Sequence, residues 1–170
     1  GALTREKRQA DLIAAVGRCA KLQDVANAEA KGGVAPNVHL VIAGTGQLDG
    51  ALRALTRSFG LSDRVHFLGF RRDLRPLWAA CDMVAYASEA EGLCTALIEA
   101  QGAGRPAVIT RAGGMIEVVE PGVTGLAVPV GAVGELASAL WRLAGDAALR
   151  SNLGEAASRR ARRLFSADAM

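Results

Sequence analysis

Five short apolar runs alternate with helical patterns along the chain, and this alternation most limits the fold. The runs occupy residues 38–43, 64–68, 82–86, 106–110 and 125–128, and most of them are apolar at adjacent positions rather than at every second one. Strands with this character are buried on both faces and occur in parallel sheets that helices cover on both sides. The sequence therefore predicts a doubly wound α/β fold in one domain of 170 residues.

Helical patterns fill most of the remaining chain. They predict helices over 5–19, 47–58, 95–103, 114–119, 133–144 and 147–164, and a short helix that Asp73 caps, with Pro76 in its first turn. Residues 22–36 are predicted to be a connection. A βα unit needs a strand before its helix, and no apolar run precedes the first helix here. We therefore expect the first strand of the domain to be absent from this chain.

Composition excludes several classes of protein. Hydrophobic residues make up 51% of the chain and charged residues 22%, which is typical of a globular protein. A net charge of +3 gives no reason to expect nucleic acid as a partner. Three cysteines without metal-type spacing predict reduced thiols in the cytoplasm. No apolar run is long enough to span a bilayer.

An arginine-rich segment, SRRARRLF, lies near the end of the chain. It contains Arg159, Arg160, Arg162 and Arg163. One interpretation is a solvated helix face with cations near the helix C-terminus, where the helix dipole favours them. The other is a patch that contacts anionic headgroups, which would place the protein at the inner face of a membrane.

Glycine clusters and a polar loop follow the predicted strands. In such sheets ligands bind beyond the carboxyl ends of the strands, which is where Gly44, Gly46 and the loop over 88–93 are expected. The GTG turn serves either a sharp bend or a phosphate, and the sequence leaves both open. Because Asp49 stands where the dinucleotide fingerprint has its third glycine, a NAD-dependent dehydrogenase is a poor interpretation.

Two carboxylates, Glu91 and Glu99, bracket the predicted start of a helix in EGLCTALIE. Glycoside hydrolases hold two carboxyl groups about 5 to 10 Å apart around one bond. Eight residues of helix rise about 12 Å, which suits contacts along an extended ligand better. The free N–H groups of a helix that begins near Cys94 or Thr95 would form an anion site between the carboxylates. The order of these groups matches the sugar, diphosphate and ribose of a nucleotide-sugar.

These motifs resemble those of a known family. EGLCTALIEA followed by GRPAVITRAGGMIEVVEPGVTGLAVP is similar to the donor-binding, C-terminal half of retaining GT-B glycosyltransferases of group 1, which are GT4-like. The segments VHLVIAGTGQ and RVHFLGFRRDL extend the resemblance over nearly the whole chain. The resemblance implies a Rossmann-like domain, transfer of a sugar from a UDP-, GDP- or ADP-sugar, and a role in polysaccharide or lipopolysaccharide assembly.

The resemblance also implies roles for individual residues. Glu91 would bind hydroxyls of the donor sugar, and Lys7 would neutralise the diphosphate; these are the two candidate catalytic residues. Glu99 would accept hydrogen bonds from the ribose. The other candidate donor-binding residues are Ser88, Gly92, Leu93, Cys94, Thr95 and Ala96 around the helix start, and Phe70 and Arg71 near the base. No metal is expected, because the chain has no D-x-D pair and Lys7 with the helix N-terminus would supply the positive charge.

The chain departs from the family pattern at two positions. Ala2 stands where the family usually has an arginine, and Cys94 where it often has a glycine. The resemblance further implies an N-terminal acceptor domain that this chain lacks, so we expect weak donor binding and little or no transfer by the chain alone. An epimerase of the same architecture and a non-catalytic nucleotide-binding module remain as alternatives.

Overall fold

A computed structural model describes residues 1–29 and 35–165, and within them five strands alternate with helices. The strands are β1 (Leu40–Ala43), β2 (Val65–Gly69), β3 (Val84–Tyr86), β4 (Ala107–Thr110) and β5 (Gly125–Val128). The helices are α1 (Gln9–Glu29), α2 (Asp49–Ser58), α3 (Arg75–Ala80), α4 (Thr95–Gly102), α5 (Met115–Val118), α6 (Val133–Gly145) and α7 (Ala147–Phe165). A short 3₁₀ turn, Arg5–Lys7, precedes α1.

All strand pairs in the described residues are parallel, and they form two sheets. β1 pairs with β2, while β4 lies between β3 and β5. All four residues of β4 are buried, as its apolar sequence predicts for a strand covered on both faces. One apolar core joins the sheets, since Ile42 of β1 and Val108 of β4 belong to the same cluster with residues of α1 and α6. The predicted Rossmann-like α/β fold is confirmed.

The predicted start and end of α1 are both wrong. The helix was expected over 5–19, but residues 5–7 form the 3₁₀ turn, and Arg8 adopts a left-handed conformation with φ of +48° before the helix begins. The buried stripe of α1 does end at Cys19. The backbone nevertheless stays helical to Glu29, so most of the predicted connection over 22–36 is helix. Ala, Gln and Glu favour helix without burial, which explains the extension. Residues 30–34 of that prediction lie outside the described part.

Asp73 does not occupy the predicted N-cap position of α3. The N-cap is Leu74, and Asp73 instead accepts a hydrogen bond from the N–H of Arg75 at 3.0 Å. The Arg75 guanidinium also binds this carboxylate, and these bonds hold the pKa of Asp73 at about 2. Asp73 therefore still satisfies an N–H of the first turn, but it does so from the position just before the N-cap.

The GTG turn after β1 accommodates the beginning of the chain. A Cβ atom on Gly44 would lie 1.6 Å from the carbonyl oxygen of Gly1, and one on Gly46 would lie 2.4 Å from that of Leu3. The N–H of Leu3 donates to the carbonyl of Thr45 at 3.0 Å. Residues 1–3 pass so close to the turn that a side chain at either position would clash with them. This packing alone explains why both positions are glycine.

Candidate functional site

Lys7 and Glu91 form an ion pair at the carboxyl ends of the strands. Lys7 ends the 3₁₀ turn, and Glu91 lies in the loop after β3. The Nζ atom of Lys7 lies 2.5 Å from Oε2 of Glu91, and the two side chains are 26% and 14% exposed. The fold thus brings together the two residues that the sequence singled out as catalytic candidates, 84 positions apart. A mostly buried pair of this kind presents a fixed charge pattern to a ligand.

Ser88 and Thr110 hold the Glu91 carboxylate in place. The hydroxyl of Ser88, which is buried, donates to Oε2 of Glu91 at 3.1 Å. The hydroxyl of Thr110, the last residue of β4, donates to the carbonyl of Ser88 at 2.5 Å. The loop is therefore tied to the rigid central strand of the three-stranded sheet.

The glycines of the AGG segment support the same loop from the other side. The N–H of Gly114 donates to the carbonyl of Glu91 at 3.0 Å. A Cβ atom on Gly113 would lie 1.9 Å from that carbonyl oxygen, and Gly113 has φ of +50°. Both the contact and the left-handed conformation require glycine. This motif serves the loop that carries Glu91.

Helix α4 begins beside this loop, as predicted. Thr95 is its first residue, and the N–H groups of Leu97 and Ile98 both donate to the carbonyl of Cys94. The N–H groups of Thr95 and Ala96 precede these internal donors, as the first N–H groups of a helix do. Thr95 is exposed, so the positive end of α4 faces solvent next to the ion pair.

Cys94 fills the apolar side of the helix start. Its side chain is buried in the cluster that includes Leu97 and Met115, and it makes no capping hydrogen bond with the described residues. Burial raises the pKa of its thiol, and Glu91 acts in the same direction. The thiol therefore remains neutral and apolar at neutral pH.

Glu99 projects from α4 on the side away from the core. The helix buries Leu97, Ala100 and Gln101, and this fixes its rotation so that Glu99 is exposed. Glu99 lines a shallow depression of about 840 Å³, which residues 72–75 and Trp78 also line. Lys7 and Glu91 do not line this depression, so the structure does not bring the two glutamates together in one cavity.

Phe70 and Arg71 lie just before the depression wall. Phe70 is 69% exposed, and the Arg71 guanidinium donates to the carbonyl of Phe70 at 3.2 Å. Gly92 and Leu93 are also exposed, beside Glu91. Within the described part of the chain, no hydrogen bond joins Phe70 or Arg71 to either glutamate. Their predicted position near the nucleotide base of the donor remains a prediction.

Two residues that the sequence analysis did not select also shape the site. Arg8 binds Asp11 at 2.8 Å and Glu89 at 3.0 Å, which links the start of α1 to the loop before Glu91. Tyr86 ends β3, and burial raises the pKa of its hydroxyl, with Cys94, Glu91 and Glu99 as further causes. Arg8 follows Lys7 directly in the TREK-R sequence, but its partner Glu89 is distant in sequence, and only the fold reveals that contact.

The arginines of α7 make contacts within the chain. Arg160 binds Glu120 at 3.2 Å and donates to the carbonyl of Glu117, which fastens α7 to the end of α5. Arg162 donates to the hydroxyl of Ser158 at 2.7 Å. These contacts agree with a structural role for this helix face.

A protein-family model matches most of the sequence. This family model, described as "Glycosyl transferases group 1", matches residues 1–146. The chain belongs to this family. The predicted membership of the group 1 glycosyltransferase family is therefore confirmed.

Sequence relatives come from several bacteria. The chain is 34% identical over 120 residues to the lipopolysaccharide core biosynthesis glycosyltransferase LpsE of Rhizobium meliloti, covering 71% of this chain and 35% of the relative. It is 34% identical over 137 residues to the N-acetyl-alpha-D-glucosaminyl L-malate synthase of Bacillus anthracis, covering 81% and 36%. The chain thus spans about a third of the length of these two relatives.

Solved structures of similar proteins superpose on nearly all of the chain. Anabaena HepE, crystallised with UDP, has a TM-score of 0.84 and 30% identity, and the match covers 98% of this chain and 43% of HepE. The C-terminal domain of LpcC, a group 1 glycosyltransferase of Francisella tularensis, has a TM-score of 0.83 at 20% identity, with 98% and 84% covered. The second likeness shows the fold alone.

Residues 1–29 and 35–165 contain neither a membrane-spanning helix nor a metal-binding cluster of three or more side chains. None of the helices there is both long and apolar enough to cross a membrane. Over the same ranges, no three His, Cys, Asp or Glu side chains are grouped so as to hold a metal ion.

Proposed function

We propose that this chain is the donor-binding domain of a retaining glycosyltransferase that transfers a sugar from a nucleoside diphosphate-sugar to a glycan or lipid-linked acceptor. The observation that carries the proposal is the Lys7–Glu91 ion pair beside the open N-terminus of α4. It places a cation, a carboxylate and unused N–H groups within one small region.

The charged and polar groups of the site indicate where each part of the donor would bind. The diphosphate is the anionic part of the ligand, so it would lie at Lys7 and the N–H groups of Thr95 and Ala96. Glu91 accepts hydrogen bonds and would bind sugar hydroxyls. Glu99 lies further along α4, by the depression, and would bind the ribose. The base would then extend towards Phe70 and Arg71.

Complexes of a relative support this ligand class. HepE, at 30 to 31% identity, has been crystallised with UDP and with UDP-glucose. UDP-glucose combines a sugar, a diphosphate and a ribose, and this order agrees with the proposed roles of Glu91, the start of α4 and Glu99. The proposal carries the nucleotide-sugar class to this chain, with UDP as the first base to test.

Departure of the nucleoside diphosphate is the step in which this region would act. Negative charge develops on the diphosphate as the glycosidic bond breaks, and positive groups placed there stabilise the transition state. Lys7 and the N-terminus of α4 would supply that charge without a metal ion. Ala2 contributes no charge, so this chain depends more heavily on Lys7 than a chain with arginine there would.

The proposal also limits what the chain does alone. It spans about a third of its relatives' length, and an acceptor site would come from a further domain. We expect the 170-residue chain to bind donor weakly and to transfer little or no sugar. Assembly of surface polysaccharide or lipopolysaccharide, on the cytoplasmic side of the membrane, is the setting we propose for the complete enzyme.

A thermal-shift panel tests the proposal. Melting temperature (Tm) would be measured with UDP, GDP and ADP, each with and without its sugar. A ligand at 100 times its Kd stabilises a protein by about 2.7 kcal/mol, which corresponds to a Tm rise of roughly 5 to 10 °C for a chain of this size. Glu99→Ala should reduce the rise, while Glu135→Ala on α6 serves as the matched control. No shift with any of these ligands would contradict the donor site.

A further inference from the structure

Two histidines lie side by side on the open face of the β1–β2 sheet. His39 directly precedes β1, and His66 is the second residue of β2. Val41 pairs with His66 in the register and lies two residues after His39, so all three side chains project from the same face. All three are exposed, whereas Ile42 and Val65 on the other face are buried. Water and dissolved ions therefore reach both imidazoles.

The two imidazoles face each other through one nitrogen each. Nδ1 of His39 lies 3.4 Å from Nε2 of His66. The ring planes differ by 4°, and the ring centroids are 5.7 Å apart, which exceeds the N···N distance by about one ring radius at each end. The two nitrogens therefore lie on the line between the centroids, and the rings share one plane. A hydrogen bond between two nitrogens at this distance is long.

The N···N distance also matches that of two imidazoles bound to one metal ion. Imidazole nitrogens bind Zn²⁺ at about 2.0–2.1 Å, and Ni²⁺ and Cu²⁺ are likewise suited to imidazole ligands. Two nitrogens on one tetrahedral ion are then about 3.3–3.4 Å apart. Each ring would tilt by roughly 35° to direct its lone pair to an ion beside the N···N line. Side chains that are exposed are free to make this small rotation.

We propose that His39 and His66 form a binding site for one divalent transition-metal ion, with water completing its coordination. The site is separate from the donor site, because His39 lies at the amino end of β1 whereas Lys7 and Glu91 lie at the carboxyl ends of the strands. The bound ion would fasten together two segments that are 27 residues apart in sequence. It would take no part in glycosyl transfer, so this proposal does not depend on the proposed function.

Counting the imidazoles on a bound Cu²⁺ ion tests the site directly, because the chain contains two histidines. One equivalent of Cu²⁺ would be added to the 170-residue chain, and pulsed electron paramagnetic resonance would count the imidazole ligands. The expected spectrum shows two imidazoles on each ion. A spectrum with one imidazole or none would overturn the proposal and leave the pair as a hydrogen bond alone.

Calorimetric titration with Ni²⁺ measures what each ring contributes. His39→Gln and His66→Gln should each weaken binding at least about tenfold, because the fold holds the second imidazole at a high effective concentration. Both side chains are exposed, so neither change should disturb folding. Glu135→Gln, an exposed change on α6, is the matched control, and Mg²⁺, which prefers oxygen ligands, should not compete with Ni²⁺.

Two results of these titrations would also overturn the proposal. The first is equal Ni²⁺ affinity in the unchanged chain and in both histidine variants, since the ion would then bind elsewhere. The second is a dimer that forms with one ion for two chains, by light scattering, since each chain would then supply one imidazole and the pair within a chain would not be the site.

Discussion

Replacing Lys7 with methionine removes the cation of the site while keeping a side chain of similar length. The Nζ of Lys7 lies 2.5 Å from Glu91, and the pair is 26% and 14% exposed. Hydrogen bonds to charged groups contribute about 1.5–3 kcal/mol, and partial exposure reduces this to about 1–2 kcal/mol. For a chain of this size each kcal/mol shifts Tm by about 2–4 °C, so the variant should melt roughly 2 to 8 °C lower.

The same variant should lose affinity for a diphosphate specifically. A lost charged contact of about 1.4–2 kcal/mol weakens UDP binding by roughly 10- to 30-fold. Uridine, which has no phosphate, should bind the variant and the unchanged chain equally. Calorimetric titration with UDP and with uridine separates the two effects. Lys21→Met, an exposed change on α1, is the matched control.

Two outcomes would refute this reasoning. If Lys7→Met weakened uridine and UDP binding equally, the loss would reflect a general disturbance of the fold. If neither affinity changed, Lys7 would not contact the diphosphate. Glu91→Gln provides a further check, because the amide leaves the Lys7 charge in place. It should keep UDP affinity within about threefold while it reduces the additional affinity that the sugar of a UDP-sugar provides.

The remaining predictions concern Gly113 beside the Glu91 loop, Ala2 in place of the family arginine, and the pH dependence that Cys19 causes. Gly113→Ala forces a Cβ to 1.9 Å from the Glu91 carbonyl and should lower Tm by roughly 10 °C or more, whereas Gly122→Ala, with φ of +80° and open space, should cost only about 1–2 kcal/mol in denaturant titration. Ala2→Arg should tighten UDP binding severalfold by calorimetry; weaker binding would contradict a diphosphate nearby. Burial raises the pKa of Cys19 to about 11, so the unfolded thiol ionises first, and unfolding free energy should fall as pH rises from 9 to 11. Cys19→Ala should flatten that fall, and an unchanged slope would count against it.

Strand positions followed from the sequence because burial on both faces leaves a local signature. The predicted strand over 125–128 coincides with β5, and the other four overlap their observed strands. The end of α1 was not predictable from the apolar stripe, which stops at Cys19 ten residues before the helix does. After Cys19 the residues still favour helix although they are no longer buried. The prediction relied on burial alone and therefore ended the helix too early.

The candidate site was predictable in part for a similar reason. Spacing and the helix start placed Glu91 and Glu99 around an anion site, and resemblance added Lys7. The supports of Glu91 were not predictable, because Thr110 acts through Ser88 and Gly113 acts through its close approach to a carbonyl. Those contacts join segments about 20 residues apart, and nothing local in the sequence records them.

The central claim is that a nucleoside diphosphate lies across the start of α4 with its phosphates at the helix N-terminus. Titration of the ¹⁵N-labelled chain with UDP and with uridine, followed by NMR, tests it directly. The amide signals of Thr95 and Ala96 should move with UDP and stay in place with uridine, while the Glu99 amide moves with both. Phosphate-independent shifts at Thr95 and Ala96, or no shifts there with UDP, would contradict the account.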